Sequence, residues 1–204
     1  MGFKDWFKKD KYGQPIVVVS GLPRSGTSML MKMLEAGGVE IVTDGKRTAD
    51  DDNPKGYYEL EKVKTLDKGL NNSWLREFRG RAIKIISYFL ESLPDNNKYK
   101  VIFIDRNIEE VMASQNKMLA NRNKPVPEDE AAEKLMIRNF EKHLRKIKNT
   151  VLKRPWFDVL YINHNDILKG PQEEARKINS FLGGKLNEEK MACVVDPDLY
   201  RNRK

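Results

Sequence analysis

One short loop bounded by glycines carries the residue types and the spacing of a phosphate-binding site. Residues 15–28 read PIVVVSGLPRSGTS. The apolar, β-branched run 16–19 predicts a buried strand that breaks at Gly21, and a helical pattern begins just after Gly26. A strand, a loop and a helix N-terminus in this order direct several backbone N–H groups at one anion. We therefore expect the loop to bind the phosphate of a nucleotide.

The positive charge of this loop stands in an unusual place. The frame Gly-x-x-x-x-Gly-x-Ser/Thr is complete at Gly21, Gly26 and Ser28, but Thr27 occupies the position of the lysine that nucleotide triphosphatases use. The cation lies three residues upstream, at Arg24. Because that lysine contacts the β- and γ-phosphates, its loss argues against ATP or GTP hydrolysis. A tight turn without any ligand is the alternative interpretation.

The sequence PRSGTS at residues 23–28 resembles the 5′-phosphosulfate loop of the sulfotransferases, which carry Lys or Arg followed by Ser-Gly-Thr after their first strand. Those enzymes use 3′-phosphoadenosine 5′-phosphosulfate (PAPS) as sulfuryl donor. The resemblance implies that no metal ion is needed, because the loop supplies the positive charge. It also implies that the loop binds PAPS through Pro23, Arg24, Ser25, Gly26, Thr27 and Ser28.

A second segment agrees with this resemblance. Residues 101–106 read VIFIDR, a buried strand that ends in charge, and apolar side chains recur at helical spacing over residues 108–122. Sulfotransferases bind the 3′-phosphate of PAPS with an arginine at the end of this strand and a serine about two turns into the helix. The resemblance places these two residues at Arg106 and Ser114. A guanidinium fork with permanent charge and a neutral hydroxyl donor both suit a phosphate.

Two other interpretations of these segments stay open. Four apolar residues before Asp105 are also typical of the magnesium-binding strand of P-loop kinases and NTPases, in which Ser28 and Asp105 would share the ion. Arg106 would then be incidental, in a surface ion pair with Asp105 or Glu109. Alternatively, a protein that kept the fold and lost catalysis would bind the spent nucleotide, 3′,5′-adenosine bisphosphate (PAP), without turnover.

Sulfuryl transfer needs charge stabilisation on the leaving phosphate, expected from Arg24, and a group that removes the acceptor proton. The sequence NPKGYYE at residues 53–59 resembles a segment of bacterial sulfotransferase-like proteins. Its proline and glycine predict a turn, and its two tyrosines could line a pocket beside Glu59. Glu59 is therefore the expected catalytic base. Asp44 and His164, each of which follows a predicted strand, are the alternatives.

Two basic positions lie outside these motifs. Lys84 interrupts an apolar strand, from which its side chain either enters the active site or extends to the edge of the sheet. Arg201 lies in a tail similar to that of the same bacterial proteins, and sulfotransferases close a late basic segment over the 3′-phosphate. The chain departs from the cytosolic arylsulfotransferases, because it has no Arg-Lys-Gly segment near its end and no histidine at the expected base position. This departure argues against phenol and steroid acceptors.

Strands and helices alternate along the sequence. Strands are predicted at 16–20, 39–43, 82–86, 101–105 and 158–162, and helices at 26–36, 59–68, 108–122, 128–150 and 171–182. The alternation predicts an α/β fold, a P-loop-containing three-layer arrangement with a mostly parallel central sheet, in one domain over residues 1–204. Ligands of such sheets bind beyond the carboxyl ends of the strands. Both phosphate-binding segments and residues 44–59 are therefore expected on the same side.

The composition fits a globular enzyme and excludes several other classes. The chain has 204 residues, of which 33% are charged and 39% hydrophobic, and a net charge of +8 from 38 basic and 30 acidic residues. No nucleic-acid-binding motif accompanies this charge, no apolar run approaches the ~20 residues that span a bilayer, and the first residues lack the apolar centre of a signal peptide. The single cysteine, Cys193, allows no internal disulfide. We expect a cytoplasmic enzyme whose partner is a small-molecule, glycan or peptide acceptor.

Overall fold

Five parallel strands form the centre of the molecule. The structure is a computed structural model that describes residues 12–46, 56–69, 71–127 and 129–196. The strands lie in the spatial order β2-β3-β1-β4-β5, and every pairing is parallel. Because β1 lies in the middle of the sheet, the loop that follows it is central at the carboxyl edge. The strands are β1 (Ile16–Gly21), β2 (Ile41–Val42), β3 (Ala82–Lys84), β4 (Tyr99–Asp105) and β5 (Phe157–Asn163).

Helices connect these strands and cover the sheet. Within the described ranges, side-chain caps fix four of their starts: Asn107 for α2, Asp129 for α3, Asn163 for α4 and Asn187 for α6 each accept from a backbone N–H of the first turn. Short 3₁₀ segments cover Glu61–Thr65, Ser73–Phe78 and Ser87–Ser92, and a π-helical turn at Ile147–Val151 extends α3. The helices are α1 (Thr27–Ala36), α2 (Ile108–Asn121), α3 (Glu130–Lys146), α4 (His164–Lys169), α5 (Pro171–Leu182) and α6 (Glu188–Cys193).

The strands are apolar on both sides, so each face of the sheet packs against its own layer. One face packs against α1, α4, α5 and α6, with Leu30 and Ile178 among the buried side chains. The other face packs against the 3₁₀ segments and the end of α3, with Leu75 and Val151 among the buried side chains. Continuous apolar strands are typical of a parallel sheet that is covered twice. The predicted three-layer α/β class is confirmed.

Several predicted boundaries differ from the structure. The strand predicted at 39–43 pairs only over Ile41–Val42, and the helix predicted at 128–150 is α3 followed by the π-helical turn. The helix predicted at 59–68 is wrong: only a 3₁₀ segment forms at Glu61–Thr65, because contacts described below hold Glu59 in place before it. The sequence also gave no signal for α4 or α6, which are six residues each. That residues 1–204 form one domain stays a prediction.

Candidate functional site

The loop after β1 closes on itself through Ser25. The backbone N–H of Ser25 donates to the carbonyl of Leu22 over 3.2 Å, and its hydroxyl donates to the same oxygen over 2.7 Å. Gly26 adopts a φ of 106°, and a Cβ there would lie 2.7 Å from Cδ2 of His164. Only glycine fits such a position without displacing a neighbour. The loop is therefore a rigid turn that brings the backbone close to the start of α1.

The start of α1 is suited to an anion. Among the described residues, no side chain caps it, in contrast to the capped starts of α2 and α3. Thr27 is buried in the first turn and Ser28 is half-buried beside it. Backbone N–H groups at such a helix start, together with the helix dipole, favour a phosphate or sulfate. This geometry agrees with the expectation drawn from the glycine-bounded loop.

The two predicted phosphate-binding segments contact each other directly. Arg24 Nε donates to Ser114 Oγ over 3.1 Å, and Arg106 Nη1 donates to the carbonyl of Arg24 over 3.0 Å. Arg24 adopts a left-handed φ of 68°, which is uncommon for a residue with a side chain. Both contacts hold it in this conformation. Arg24, Arg106 and Ser114 thus form one cluster at the carboxyl edge of β1 and β4, although 90 residues separate Arg24 from Ser114.

The ion pairs at the end of β4 differ from those that the sequence suggested. Arg106 pairs with Glu110, with 3.0 Å between Nε and Oε2. Asp105 accepts from Lys148 Nζ over 2.7 Å instead. Glu110 is a site residue that the sequence reasoning missed. Its i,i+4 spacing from Arg106 was the available signal.

Glu59 lies next to residues 21–28, the donor loop, because Lys84 contacts both. Lys84 Nζ is 3.4 Å from Glu59 Oε1 and 3.5 Å from Ser28 Oγ, and it also donates to the carbonyl of Tyr57. The Lys84 side chain is only 7% exposed, so its charge is shielded from water. Of the two alternatives for Lys84, the structure shows the inward one. The ammonium group adds positive charge between the start of α1 and Glu59.

The tyrosines before Glu59 anchor this segment on both sides. The Tyr57 ring is buried, and its hydroxyl accepts from Arg122 Nη2 over 3.1 Å at the end of α2. Tyr58 adopts a left-handed φ of 51°, and its hydroxyl donates to Glu35 Oε2 over 2.7 Å in α1. Residues 47–55 lie outside the described residues, so the proline of the predicted turn is not placed.

Asp44 supports the backbone next to Glu59. Its carboxylate accepts from the backbone N–H of Glu61 over 2.8 Å and from that of Lys46 over 3.1 Å. These two bonds hold the pKa of Asp44 below its ordinary value. The Asp44 backbone N–H in turn donates to the Glu59 carbonyl over 3.2 Å. An ionised carboxylate that already accepts two backbone bonds is a poor candidate for the base.

His164 lies against the donor loop. It is the first residue of α4, is 6% exposed and contacts the loop at Gly26. Burial lowers the pKa of His164 to about 4, and the nearby Arg106 charge acts in the same direction. The imidazole is therefore neutral at physiological pH and weakly basic. Its buried position behind the loop favours a packing role over proton abstraction.

The remaining expectations concern residues and ions that the structure does not place. Arg201 lies outside the described residues, so its role at the 3′-phosphate stays a prediction. Within the described ranges, no group of three or more His, Cys, Asp or Glu side chains could hold a metal ion, and no helix is long and apolar enough to cross a membrane.

A parallel α/β sheet, with a glycine-bounded loop and a helix start after its central strand, defines the fold class of this protein. The family model of the sulfotransferase domain matches residues 14–200 of the sequence, so the chain belongs to the sulfotransferase family. The family predicted from the two phosphate-binding segments is thereby confirmed.

Solved sulfotransferases have the same fold at low sequence identity. A mouse sulfotransferase, SULT7A1, crystallised with PAP, superposes with a TM-score of 0.57 at 22% identity over 90% of this chain. A sulfotransferase from Alicyclobacillus acidocaldarius gives a TM-score of 0.54 at 16% identity, covering 92% of this chain and 88% of its own. A sulfotransferase domain from the curacin biosynthetic pathway gives 0.50 at 16% identity, covering 94% and 87%. This chain covers 63% of the mouse protein.

Proposed function

We propose that this protein transfers a sulfuryl group from PAPS to a hydroxyl or amine acceptor by in-line displacement. The observation that carries the proposal is the contact between the two phosphate-binding segments, through Arg24, Ser114 and Arg106. PAPS carries a 5′-phosphosulfate and a separate 3′-phosphate, so its site needs two anion-binding centres at a fixed separation. The cluster would supply both centres beyond the ends of the adjacent strands β1 and β4.

The donor side of the site would stabilise the leaving phosphate. Backbone N–H groups at the start of α1 and the Arg24 guanidinium would donate to the leaving oxygen, on which negative charge develops. Pro23, Ser25 and Gly26 shape the loop, and Thr27 and Ser28 open the helix. Arg106 and Ser114 would bind the 3′-phosphate and so fix the register of the nucleotide.

The acceptor side would activate the attacking group. Glu59 is the proposed base, since its carboxylate is 23% exposed and so remains accessible to an acceptor. Lys84, between Glu59 and Ser28, would face the oxygens of the transferring sulfuryl group and balance their charge. The acceptor hydroxyl or amine would lose its proton to Glu59 as its oxygen or nitrogen attacks sulfur.

The magnesium-dependent kinase or NTPase is the less supported function. It requires Asp105 and Ser28 to share an ion. Ser28 belongs to α1, which packs on one face of the sheet. Asp105 pairs with Lys148, whose ammonium lies 5.7 Å from the ring of Phe103, a core residue of the other face. Asp105 is thus already paired with a lysine ammonium, and Ser28 Oγ contacts Lys84 Nζ and the Tyr57 carbonyl.

A titration with PAP in EDTA, beside one with ATP and magnesium, tests the donor site. We expect PAP to bind without metal and Arg106→Ala to lower its affinity by about 10- to 100-fold, as the loss of a charge-assisted contact does. Magnesium-dependent ATP binding without PAP binding would contradict the proposal and favour a kinase or NTPase. PAP binding with no transfer to any acceptor would favour a protein of this fold that has lost catalysis.

A further inference from the structure

Arg106 is held by a carboxylate that the proposed donor site does not itself use. The Glu110 side chain is 3% exposed and the Arg106 side chain 9%, and Nε of Arg106 lies 3.0 Å from Oε2 of Glu110. Burying an ion pair is a weak source of stability, because desolvation offsets the attraction between the charges. The pair is therefore better explained by what it does to the guanidinium than by a gain in folding energy.

The backbone of Glu110 is fixed independently of this pair. Asn107 caps α2, and its Oδ1 accepts from the backbone N–H of Glu109 over 2.8 Å and from that of Glu110 over 3.3 Å. Glu110 also lies in the first turn of α2, where the helix dipole favours a negative charge. The carboxylate thus projects from a rigid helix start and not from a loop.

A second contact fixes the plane of the guanidinium. Arg106 Nη1 donates to the carbonyl of Arg24 over 3.0 Å, while Nε is held by Glu110. A guanidinium is a planar fork, so two bonds from different nitrogens leave it no free rotation. The direction in which Arg106 presents its charge to a ligand is therefore set by Glu110 and the donor loop together.

We propose that Glu110 is the positioning residue that gives the site its preference for a nucleotide with a 3′-phosphate. This inference rests on the proposed function, since it assigns the 3′-phosphate to Arg106. Without Glu110, the guanidinium loses the carboxylate that holds its Nε, so the direction of its charge is no longer set by Glu110 and the donor loop together. The 5′-phosphate would still bind at the start of α1, so the loss is specific to the 3′-phosphate.

The charge of Glu110 offers a competing explanation that substitutions can separate. A carboxylate beside a phosphate site repels the phosphate, so simple removal of the charge would strengthen PAP binding. Glu110→Gln removes the charge but keeps an oxygen that can accept from Arg106 Nε. Glu110→Ala removes both. Positioning therefore predicts a loss of PAP preference in Glu110→Ala that Glu110→Gln does not share, whereas charge alone predicts stronger PAP binding in both variants.

The experiment compares PAP with adenosine 5′-monophosphate (AMP), which lacks the 3′-phosphate, by calorimetric titration. We expect the ratio of the two affinities to fall at least tenfold in Glu110→Ala and to change less than about threefold in Glu110→Gln, in line with the strength of charge-assisted hydrogen bonds. AMP affinity should stay unchanged in both variants, which a general structural defect would not allow. If Glu110→Ala does not fold, Glu110→Asp replaces it, since its shorter side chain cannot reach Arg106 in the same way.

The outcomes separate this inference from the proposed function. A wild-type protein that binds PAP no better than AMP would contradict the proposed function itself. A wild-type preference that Arg106→Ala abolishes, but that neither Glu110→Ala nor Glu110→Asp weakens, would contradict only the role of Glu110. Stronger PAP binding in both Glu110→Ala and Glu110→Gln would show that Glu110 acts through its charge and would also overturn the inference.

Discussion

Glu59 is held at the site by its backbone as well as by its side chain. Its carbonyl accepts from the Thr43 hydroxyl over 3.0 Å and from the Asp44 N–H over 3.2 Å, while Lys84 contacts its carboxylate. The side chain can therefore change chemically without moving. An isosteric amide would keep an oxygen for Lys84 and lose only the ability to take a proton.

We accordingly expect Glu59→Gln to lower sulfuryl transfer by about 100-fold or more, the usual contribution of a general base, with little change in PAP affinity. The measurement is transfer of radiolabelled sulfuryl from PAPS to water and to a panel of hydroxyl and amine compounds, beside a PAP titration. Asp44→Asn is the matched control, because Asp44 contacts only backbone near Glu59. Undiminished transfer in Glu59→Gln would exclude Glu59 as the base.

The sequence indicates candidate site residues more readily than it indicates their contacts. The loop at 23–28, Arg106 and Ser114 stand in short motifs, so their types and spacing were sufficient to propose them. The contacts of Lys84 with Ser28 and Glu59 join residues 56 and 25 positions apart. Such contacts depend on how strands and helices pack in three dimensions, and local spacing contains no record of that packing.

At the scale of the elements, the unit of β1, the donor loop and α1 depends on a close contact between the loop and α4. α4 brings the His164 ring against the loop at Gly26, where a Cβ would lie 2.7 Å from Cδ2 of His164 and 3.0 Å from Cδ1 of Ile104. Gly38, after α1, has a similar φ of 99°, but a Cβ there would meet no atom within 4 Å. Comparing substitutions at these two glycines therefore separates the cost of a strained backbone from the cost of overpacking.

We expect Gly26→Ala to destabilise the protein more than Gly38→Ala does. Both carry the backbone cost of about 1–2 kcal/mol for a left-handed L-residue, and Gly26→Ala adds about 1–3 kcal/mol of overpacking. Urea unfolding of both variants measures the difference, and a PAP titration should show a loss of affinity only in Gly26→Ala. Equal stabilities would mean that the His164 ring moves aside freely. Replacing His164 by Ala in the Gly26→Ala variant should restore part of the loss.

The elements that the sequence failed to predict depend on tertiary contacts. The helix predicted at 59–68 has suitable residues, but the contacts to the Glu59 carbonyl and to Asp44 delay its start to Glu61. α4 and α6 have only six residues each, too few for a repeating apolar pattern, and are held by packing of Ile167 and Met191 into the core. Long, periodic elements such as α2 and α5 were predicted to within a residue.

At the scale of the whole molecule, the alternation of strands and helices was sufficient for the fold class, because a parallel sheet has few ways to cover both faces. The two core layers also bury some polar side chains, and the sequence alone does not predict which of these side chains are buried. His164 is the clearest example, since a histidine after a strand is equally compatible with exposure. Its burial beside Arg106 ties the stability of the whole fold to pH.

The sign of this dependence follows from the direction of the pKa shift. Burial, reinforced by the Arg106 charge and opposed by Asn165 and Glu110, lowers the pKa of His164 to about 4 from 6.5. Below pH 6.5 the His164 side chain binds a proton in the unfolded chain but not in the native protein, and this favours unfolding. The contribution of His164 to the free energy of unfolding is therefore complete above pH 6.5 and is lost as pH falls towards 4. The corresponding loss between pH 7 and pH 5 is about 2 kcal/mol.

We therefore expect His164→Asn to make the fold less sensitive to acid. Urea unfolding at pH 7 and at pH 5 should show a drop in the free energy of unfolding that is about 2 kcal/mol larger in the wild type than in the variant, although the variant is less stable at pH 7 because it loses packing at Gly26. Comparing the two drops cancels the carboxylates that titrate in the same range. Equal drops would mean that His164 is protonated in the native state, and the packing of α4 against the donor loop would then have to open in acid.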